Sequence, residues 1–370
     1  MILPWGELES LDRNNLDLAY AILSHDKHSL VEGLVAECWF DQFVDKVIEA
    51  SAGAAHLLDV ETAIVEAYEP ARRSLAFVWA RSKGPGLGRY LRALERVYEV
   101  ILIEEKLNGF VGAKISGGRR ASEPAALSSL LQELSSQYPK QFEVDQSVRD
   151  STRHRQAFWG MISSYYKENL WSRVVMPRIL MNFGIQPYFR AVWNLDRVLV
   201  WEDQIWLIEV KHKFPFESGA TLKFGLNNGE AQMLQKLVRA GLRCMYSVLV
   251  KPTWSKEVGS MYLITAKEQT ERAALIGVEL TKDRLVRMMG GQTKTSAAHT
   301  SINGRSNQKY KSVGASEFLK LGTFSMPLAE IAKNSIAVLQ GSALESVEDC
   351  WLRSLRTPEI NVKCVDSRSS

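Results

Sequence analysis

Apolar residues in the first part of the chain recur at intervals of three and four. This spacing runs through Leu30–Ala50 and Val60–Ser82, with acidic residues at many of the other positions, and it resumes over Tyr90–Leu107 after a Gly-Pro-Gly break. Such spacing is typical of amphipathic helices packed on one face. The pattern predicts an all-α helical domain over residues 1–112, followed by a flexible linker over 113–125 that contains two adjacent glycines.

Near the middle of the chain the apolar residues form short runs typical of β-strands. Arg197–Trp201 and Ile205–Lys211 are β-branched and aromatic runs, and Glu202–Gln204 between them is polar. Runs of this composition joined by a short polar turn predict a β-hairpin. Alternate side chains of a strand share a face, so Glu209 and Lys211 point the same way.

Pairing around the turn brings Asp196, at the start of the first strand, beside Glu209 on the second. Two neighbouring carboxylates in a half-buried place repel each other unless a cation lies between them. Carboxylate oxygens are hard ligands that suit Mg²⁺, with Mn²⁺ as a substitute. The hairpin therefore predicts a metal site at the end that Asp196 and Glu209 share.

A Glu-x-Lys triplet occurs about once by chance in a chain of this composition. Glu104–Lys106 fits that explanation, because it lies in a charged, helix-like context. Glu209-Val210-Lys211 instead interrupts an apolar strand, where charged side chains are costly without a partner or a task. The alternative to a catalytic role is an ion pair on an edge strand.

These residues resemble the PD-(D/E)xK nuclease superfamily, which has the restriction-endonuclease-like fold. Asp196 matches its single Asp, Glu209 its second acid and Lys211 its lysine, while Leu195 stands where the motif name has Pro. The resemblance covers residues 156–252. It implies Mg²⁺-dependent hydrolysis of DNA by an endonuclease, in a setting such as restriction or defence against invading DNA.

The resemblance also implies a carboxylate on the preceding helix and a Gln on the following one. Glu168 is the only acidic residue between Ser151 and Leu195, on a pattern that predicts a helix over Arg155–Met176 ended or kinked by Pro177. It is the candidate third metal ligand, and a surface ion pair is the alternative.

Gln232 is the candidate catalytic Gln, with Gln235 second and an exposed helix residue as the alternative. It lies on a helix predicted to follow the Asn-Asn-Gly turn signal and to stop at Gly241, before a buried strand over Cys244–Val250.

The resemblance implies an α/β fold with a restriction-endonuclease-like mixed central sheet flanked by helices, preceded by the all-α domain that the pattern predicts. The 370 residues exceed one typical domain. We expect the nuclease domain over residues 126–325 and a helical C-terminal tail over 326–370, with helices at Leu328–Leu339 and Leu344–Leu355 and a frayed end.

Charge divides the chain in the same place. Residues 1–112 hold 11 Lys or Arg and 18 Asp or Glu, whereas residues 113–370 hold 35 and 24. The basic part therefore fits a nucleic-acid substrate, and the acidic helical domain fits a protein partner or a regulatory role.

A segment from Thr281 to Lys311 is rich in Gly, Ser, Thr and Asn, and its composition predicts either a mobile loop that binds phosphates or a disordered insertion. Together with Lys213, its basic residues are the candidate nucleic-acid contacts: Lys282, Arg284, Arg287, Lys294, Arg305, Lys309 and Lys311.

Other features narrow the class of protein. No apolar run is long enough for a membrane span, and the first residues lack the pattern of a signal peptide, so the expectation is a cytoplasmic protein that does not enter a membrane. The four scattered cysteines suggest neither disulfides nor zinc. Two alternatives to a DNA endonuclease stay open, an inactive nuclease-fold scaffold that binds nucleic acid and a ribonuclease, and homo-oligomerisation is compatible with each.

Overall fold

In a computed structural model, the chain is a mixed α/β protein, as the sequence predicts. The structure describes residues 2–25, 28–69, 74–107, 109–140, 151–296 and 307–358. None of the helices in these ranges combines the length and apolar character that crossing a membrane requires.

The first part of the chain alternates helices and strands. It contains β1 (Ile2–Leu3), β2 (Gly6–Glu7), α1 (Leu16–Leu23), α2 (His28–Ala50), β3 (Ala55–Leu57), β4 (Val60–Glu66), β5 (Leu75–Ala80), α3 (Leu87–Glu95), β6 (Glu99–Lys106), β7 (Gly109–Ser116), β8 (Arg119–Arg120), β9 (Ala125–Ala126) and α4 (Leu127–Ser135). Helix α2 confirms the helix predicted over 30–50.

The expectation of an all-α domain over residues 1–112 is wrong. The stretch predicted as a helix over 60–82 forms β4 and β5, and the one predicted over 90–107 is helical only to residue 95 and then forms β6. Residues 63–65 and 75–79 are consecutive apolar positions, all of them buried. An unbroken apolar run fits either period, and here both faces of the strands are covered, which removes the alternation that marks a strand.

The linker predicted over 113–125 is also wrong. Strand β7 covers residues 113–116 and pairs with β8 and β9. Gly117 and Gly118, taken as signs of flexibility, form the turn between β7 and β8 with φ values of +61° and +75°. Glycine adopts this left-handed conformation without steric cost, so the pair marks a tight turn.

The middle of the chain begins with helical turns that run from residue 151 to residue 188. They include α5 (Ser151–Ala157), α6 (Ser163–Tyr166) and α7 (Met176–Ile179), interspersed with π- and 3₁₀-helical turns. Pro177 does not end the helix, contrary to the first half of the prediction that it ends or kinks it. It lies in the first turn of α7, where a missing N–H is tolerated. There follow β10 (Ala191–Leu195), β11 (Arg197–Trp201), β12 (Gln204–Lys213), β13 (Phe216–Ser218), β14 (Thr221–Asn227), α8 (Asn228–Arg239) and β15 (Arg243–Val250).

The last part of the chain is also mixed. It contains α9 (Tyr262–Thr265), α10 (Lys267–Arg272), β16 (Ala274–Glu279), α11 (Lys282–Gly290), β17 (Lys294–Thr295), β18 (Lys309–Gly314), β19 (Leu319–Thr323), α12 (Leu328–Leu339) and α13 (Asp349–Leu355). Helix α12 confirms the first predicted tail helix, whereas only the end of the second is helical. The mobile basic segment predicted between 281 and 311 is wrong where it is described, since α11, β17 and β18 occupy it; residues 297–306 lie outside the described ranges.

The longer strands form three sheets. Sheet I has the order β10-β4-β5-β6-β7-β8, with β9 also paired to β7; sheet II has the order β19-β16-β15-β12-β11-β3; and sheet III has the order β13-β14-β18-β17. Sheet II is mixed, because β12 pairs parallel to β15 and antiparallel to β11. Strand β10 pairs with β4, so the region before residue 112 and the region after it share sheet I.

Two apolar layers cover the faces of sheets I and II. On one face α2 packs against Leu199, Ile208 and Met245, and on the other face α8 packs with Val198, Leu207 and Val248. Both layers draw residues from before and after position 112. The core is therefore continuous across the boundary that the charge pattern suggested.

This shared core predicts that residues 113–370 do not fold as an independent unit. Expressed without residues 1–112, this fragment would leave β10 without its partner β4 and would expose the apolar layer that α2 covers. We expect it to be insoluble, or to lack a cooperative thermal transition by circular dichroism, whereas the full chain unfolds cooperatively. A sharp transition in the fragment would contradict the continuous core.

Candidate active site

Strands β11 and β12 form the hairpin that the sequence predicts. Arg197 pairs with Ile208 at one end and Trp201 with Gln204 at the other. Glu202 and Asp203 make the turn, and Glu202 has a φ of +51°. The tight turn fixes the register, and the register places residue 209 next to the start of β11.

Asp196 lies where the chain passes from one sheet to another. Leu195 ends β10 in sheet I and Arg197 begins β11 in sheet II. The ladder between β11 and β12 therefore ends at Ile208, and β12 continues beyond it. The Val210 N–H donates to Asp196 Oδ2 at 2.8 Å. The Asp196 carboxylate thus caps the open edge of β12 and is held beside Glu209, as the hairpin predicted.

Glu209 and Lys211 share one face of β12, and α8 brings Glu230 over that face. The Lys211 ammonium donates to Glu209 Oε1 and lies 2.8 Å from Glu230 Oε1. Glu209 is 2% exposed, whereas the Lys211 side chain is 24% exposed. One ammonium therefore bridges two buried carboxyl groups and retains access to solvent.

The three groups set one another's protonation. Burial raises the pKa of Glu209, and the charges of Asp196 and Glu230 raise it further against the opposing effect of Lys211. Burial also acts to raise the pKa of Glu230, but the Lys211 ammonium and a hydrogen bond from Glu209 outweigh it and lower that pKa. Glu209 therefore holds the proton in this arrangement, and Glu230 is the carboxylate that pairs with Lys211.

Lys213 continues the basic side of the site. Its ammonium donates to the Gly225 carbonyl at 2.8 Å, and the Tyr246 hydroxyl donates to the same oxygen at 2.9 Å. Burial, and then the neighbouring Lys211 charge, lower the pKa of Lys213 to about 8. Lys213, predicted as a nucleic-acid contact, thus bonds a main-chain carbonyl and joins β12 to β14.

Helix α2 supplies acids on the other side of Asp196. Arg197 Nε donates to Asp41 Oδ1 at 2.7 Å, and the Tyr166 hydroxyl donates to Asp41 Oδ2 at 2.8 Å. Asp41 is therefore fully engaged in fixing the start of β11.

Glu37 is one turn earlier on α2 and is less tightly held, since its closest cation, Arg178, is 3.9 Å away. Burial raises the pKa of Glu37, Arg178 and Arg197 lower it, and the charge of Asp196 raises it again. Glu37 is thus a helical carboxylate next to the site.

Two of the predicted site residues are not brought to this place. Glu168 is exposed on a 3₁₀ turn (Lys167–Asn169), and none of the contacts described for Asp196, Glu209 and Lys211 involves it. Gln232 is exposed on α8, beside Trp193, and the α8 residue in the site is Glu230. Residues two apart on a helix point in nearly opposite directions, so Gln232 cannot share the orientation of Glu230.

The sequence contains a signal for the three acids that were not predicted. Glu230 falls on the apolar stripe of α8 with Leu234 and Leu237, and Glu37 and Asp41 fall on the stripe of α2 with Leu34 and Val44. A charged residue at a position that the helical period assigns to the core needs a partner or a task.

Some of the other predicted nucleic-acid contacts are bonded to other groups of the fold, and others are exposed. Lys311 is buried and donates to the carbonyls of Met289 and Gly291. Arg284 pairs with Glu317 at 2.9 Å. Lys282, Arg287 and Lys309 are exposed, and Arg287 also lies 3.8 Å from Glu317. Lys294 is half-buried over the ring of Phe216, and Arg305 lies outside the described residues.

The donor set at the open edge of β12 consists of two carboxylates that could hold a magnesium ion. Asp196 accepts a hydrogen bond from the Val210 N–H next to Glu209, and its charge raises the pKa of Glu209, an effect that a cation would relieve. Within the described residues, no group of three or more His, Cys, Asp or Glu side chains is arranged to hold a metal ion. Mg²⁺ commonly uses one or two carboxylates and completes its shell with water and substrate phosphate, so the pair fits this ion.

Comparisons of the chain with protein-family models, with curated proteins and with solved structures find no match.

The protonated state of Glu209 predicts an unusual stability effect for Glu209→Gln. The folded protein keeps a proton on Glu209 that the unfolded chain releases above the ordinary pKa of 4.5, so wild-type stability falls as the pH rises from that value towards the raised pKa. The neutral amide lacks this dependence and keeps the shape of the protonated acid. Without metal ions, we expect the variant to match wild type near about pH 5 and to exceed it by about 1–2 kcal/mol near about pH 8.

Glu230→Gln is the matched control with the opposite sign. Because the pKa of Glu230 is lowered, its ionised form stabilises the fold above the ordinary value, and this contribution is lost as the pH falls. We expect Glu230→Gln to be less stable than wild type near about pH 8. Urea unfolding in EDTA measures both, and equal destabilisation by the two substitutions would contradict the proton assignment.

Proposed function

We propose that this protein is a metal-dependent nuclease that hydrolyses phosphodiester bonds in DNA, with a core of the restriction-endonuclease-like type. The observation that carries the proposal is the convergence of Asp196, Glu209 and Lys211 at the open edge of β12. The succession of helix, hairpin, Glu-x-Lys strand, helix and parallel strand around them supports it.

Each residue has a distinct task in this proposal. Asp196 and Glu209 would hold Mg²⁺, with Glu37 as the helical carboxylate in place of Glu168. A bound Mg²⁺ supplies charge neutralisation at the scissile phosphate and a lowered pKa for water. Lys211 orients the attacking water and stabilises negative charge that develops on the phosphate.

Glu230 has a positioning task. If Glu209 were ionised and bound to a cation, Lys211 would need another carboxylate to hold its ammonium group in position. Glu230 lies 2.8 Å from the Lys211 ammonium and is ionised, so it meets that need. The lysine is thereby fixed from the α8 side.

The proposal predicts which substitutions abolish cleavage. We expect Asp196→Asn, Glu209→Gln and Lys211→Met each to lower the cleavage rate by about 100-fold or more, because each removes a charge from the reacting region. Glu168→Gln and Gln232→Ala, at the exposed positions, should cleave like wild type. Plasmid, linear duplex, single-stranded DNA and RNA, each with Mg²⁺ or Mn²⁺, are the substrates. Undiminished cleavage by Asp196→Asn would overturn the site, and cleavage of RNA alone would overturn the assignment to DNA.

The raised pKa of Glu209 predicts that metal binding competes with a proton. Glu209 must ionise before it can bind Mg²⁺, so we expect the Mg²⁺ concentration for half-maximal rate to fall as the pH rises from about 6 to about 8. Ca²⁺, which accepts the same ligands at longer distances, should support DNA binding without turnover, and EDTA should stop cleavage. Cleavage that persists in EDTA would contradict a metal-dependent mechanism.

A further inference from the structure

Sheet III has one buried face and one open face. Leu222, Phe224 and Leu226 of β14 and Val313 of β18 point into the core beneath α8. The alternate residues of the same strands are half-buried or exposed and lie on the opposite face. Strand register places them side by side: Phe216 beside Lys223, Lys223 beside Gly314, Gly225 beside Ser312, and Tyr310 beside both Asn227 and Lys294.

The open face carries two aromatic rings over small residues. The rings of Phe216 and Tyr310 are 5.7 Å apart at an angle of 79°. A Cβ on Gly225 would lie 3.1 Å from the Tyr310 ring, so the glycine lets this ring lie close against the backbone of β14. The rings are therefore held in place by the sheet and partly exposed.

The charge of this face is of one sign. Lys294 Nζ lies 4.9 Å from the centre of the Phe216 ring, and Lys223 is paired directly with Phe216 on the neighbouring strand. None of the described strand residues on the open face is acidic. These residues are Phe216, Ser218, Thr221, Lys223, Gly225, Asn227, Lys294, Tyr310, Ser312 and Gly314. Aromatic rings interleaved with lysines complement bases and phosphates, respectively.

The open face leads to the candidate active site. The carbonyl of Gly225, in the middle of the face, accepts hydrogen bonds from Lys213 and Tyr246. Lys213 is two residues from Lys211 on the same side of β12. Lys213 therefore links the middle of the open face to the strand that carries Lys211.

We propose that the open face of sheet III is a stacking platform for an unpaired DNA strand, which it guides towards Lys211. The aromatic rings favour this occupant over duplex DNA, because the flat faces of bases are available for stacking only when the bases are unstacked from a helix. Lysines alone would serve either form. The direction of the strand rests on the proposed nuclease function, whereas the binding itself does not.

The test measures binding by the full chain in Ca²⁺ and in EDTA, so that cleavage plays no part. The probes are a fluorescent oligo-dT and a hairpin duplex of equal length, followed by anisotropy. We expect Phe216→Ala and Tyr310→Ala each to weaken binding of oligo-dT by about tenfold and binding of the duplex by less than about twofold. Tyr310→Phe should bind like wild type because it keeps the ring. Tyr138→Ala removes a ring that is 81% exposed outside this face, and as a matched control it should also bind like wild type.

Two further measurements separate stacking from loss of structure. An oligo-dT that contains 2-aminopurine loses fluorescence when the base stacks, and this quenching should disappear in Tyr310→Ala and persist in Tyr310→Phe. Lys294→Gln keeps both rings and should lower the log–log salt slope for oligo-dT by about 0.7.

Unchanged oligo-dT affinity in both ring variants, or an equal loss for duplex and single strand, would overturn the platform. Cleavage assays decide the nuclease proposal separately: a chain that binds oligo-dT through Tyr310 but cleaves no substrate would keep the platform and lose the nuclease.

Discussion

The passage of the chain from sheet I to sheet II at Asp196 is the constraint on which the site depends. Strand β10 must pair with β4 up to Leu195, and β11 must pair with β12 from Arg197 onwards. A single residue is left to make the change, which ends the ladder early and leaves the edge of β12 open beyond Ile208. Asp196 satisfies the Val210 N–H at that edge, so one carboxylate both completes the sheet and lies beside Glu209. The first region of the chain, which supplies β4 and α2, is therefore part of the machinery that positions the site.

The electrostatics of the site follow from this crowding. Glu209 and Glu230 are nearly removed from water, and only one ammonium group lies between them. A single positive charge cannot offset two buried negative charges, so Glu209 takes up a proton. The site is thus less stable when Glu209 is ionised, and any cation that binds beside Asp196 gains from relieving that cost. A buried cluster that is costly to ionise is the kind of arrangement that the proposed metal-dependent function would use.

How much the sequence predicts depends on how local the cause is. The hairpin, helix α8, its end before Gly241, and strand β15 follow from period and turn chemistry within a few residues, and these predictions are confirmed. The sequence pattern predicts helices around residues 62–65 and 75–79, because an unbroken apolar run fits a helix as well as a strand. Whether both faces of such a run are buried as a strand is decided by distant segments. Glu37 and Glu230 were missed for a related reason. Each acid lies on an apolar helical stripe, but which helix covers Asp196 or Lys211 depends on packing between segments far apart in the chain.

The same distinction limits what net charge can say about a ligand. The excess of basic residues after position 112 predicts phosphate contacts, yet Lys311, Arg284 and Lys213 are bound to carbonyls or carboxylates of the fold itself. A lysine that holds a main-chain oxygen is not available to a phosphate without loss of that bond. Among the basic residues not bound in this way, Lys223 and Lys294 lie beside Phe216 on the open face of sheet III. Under the proposed function, the positions of these two lysines, rather than the number of basic residues, indicate where a polyanion would bind.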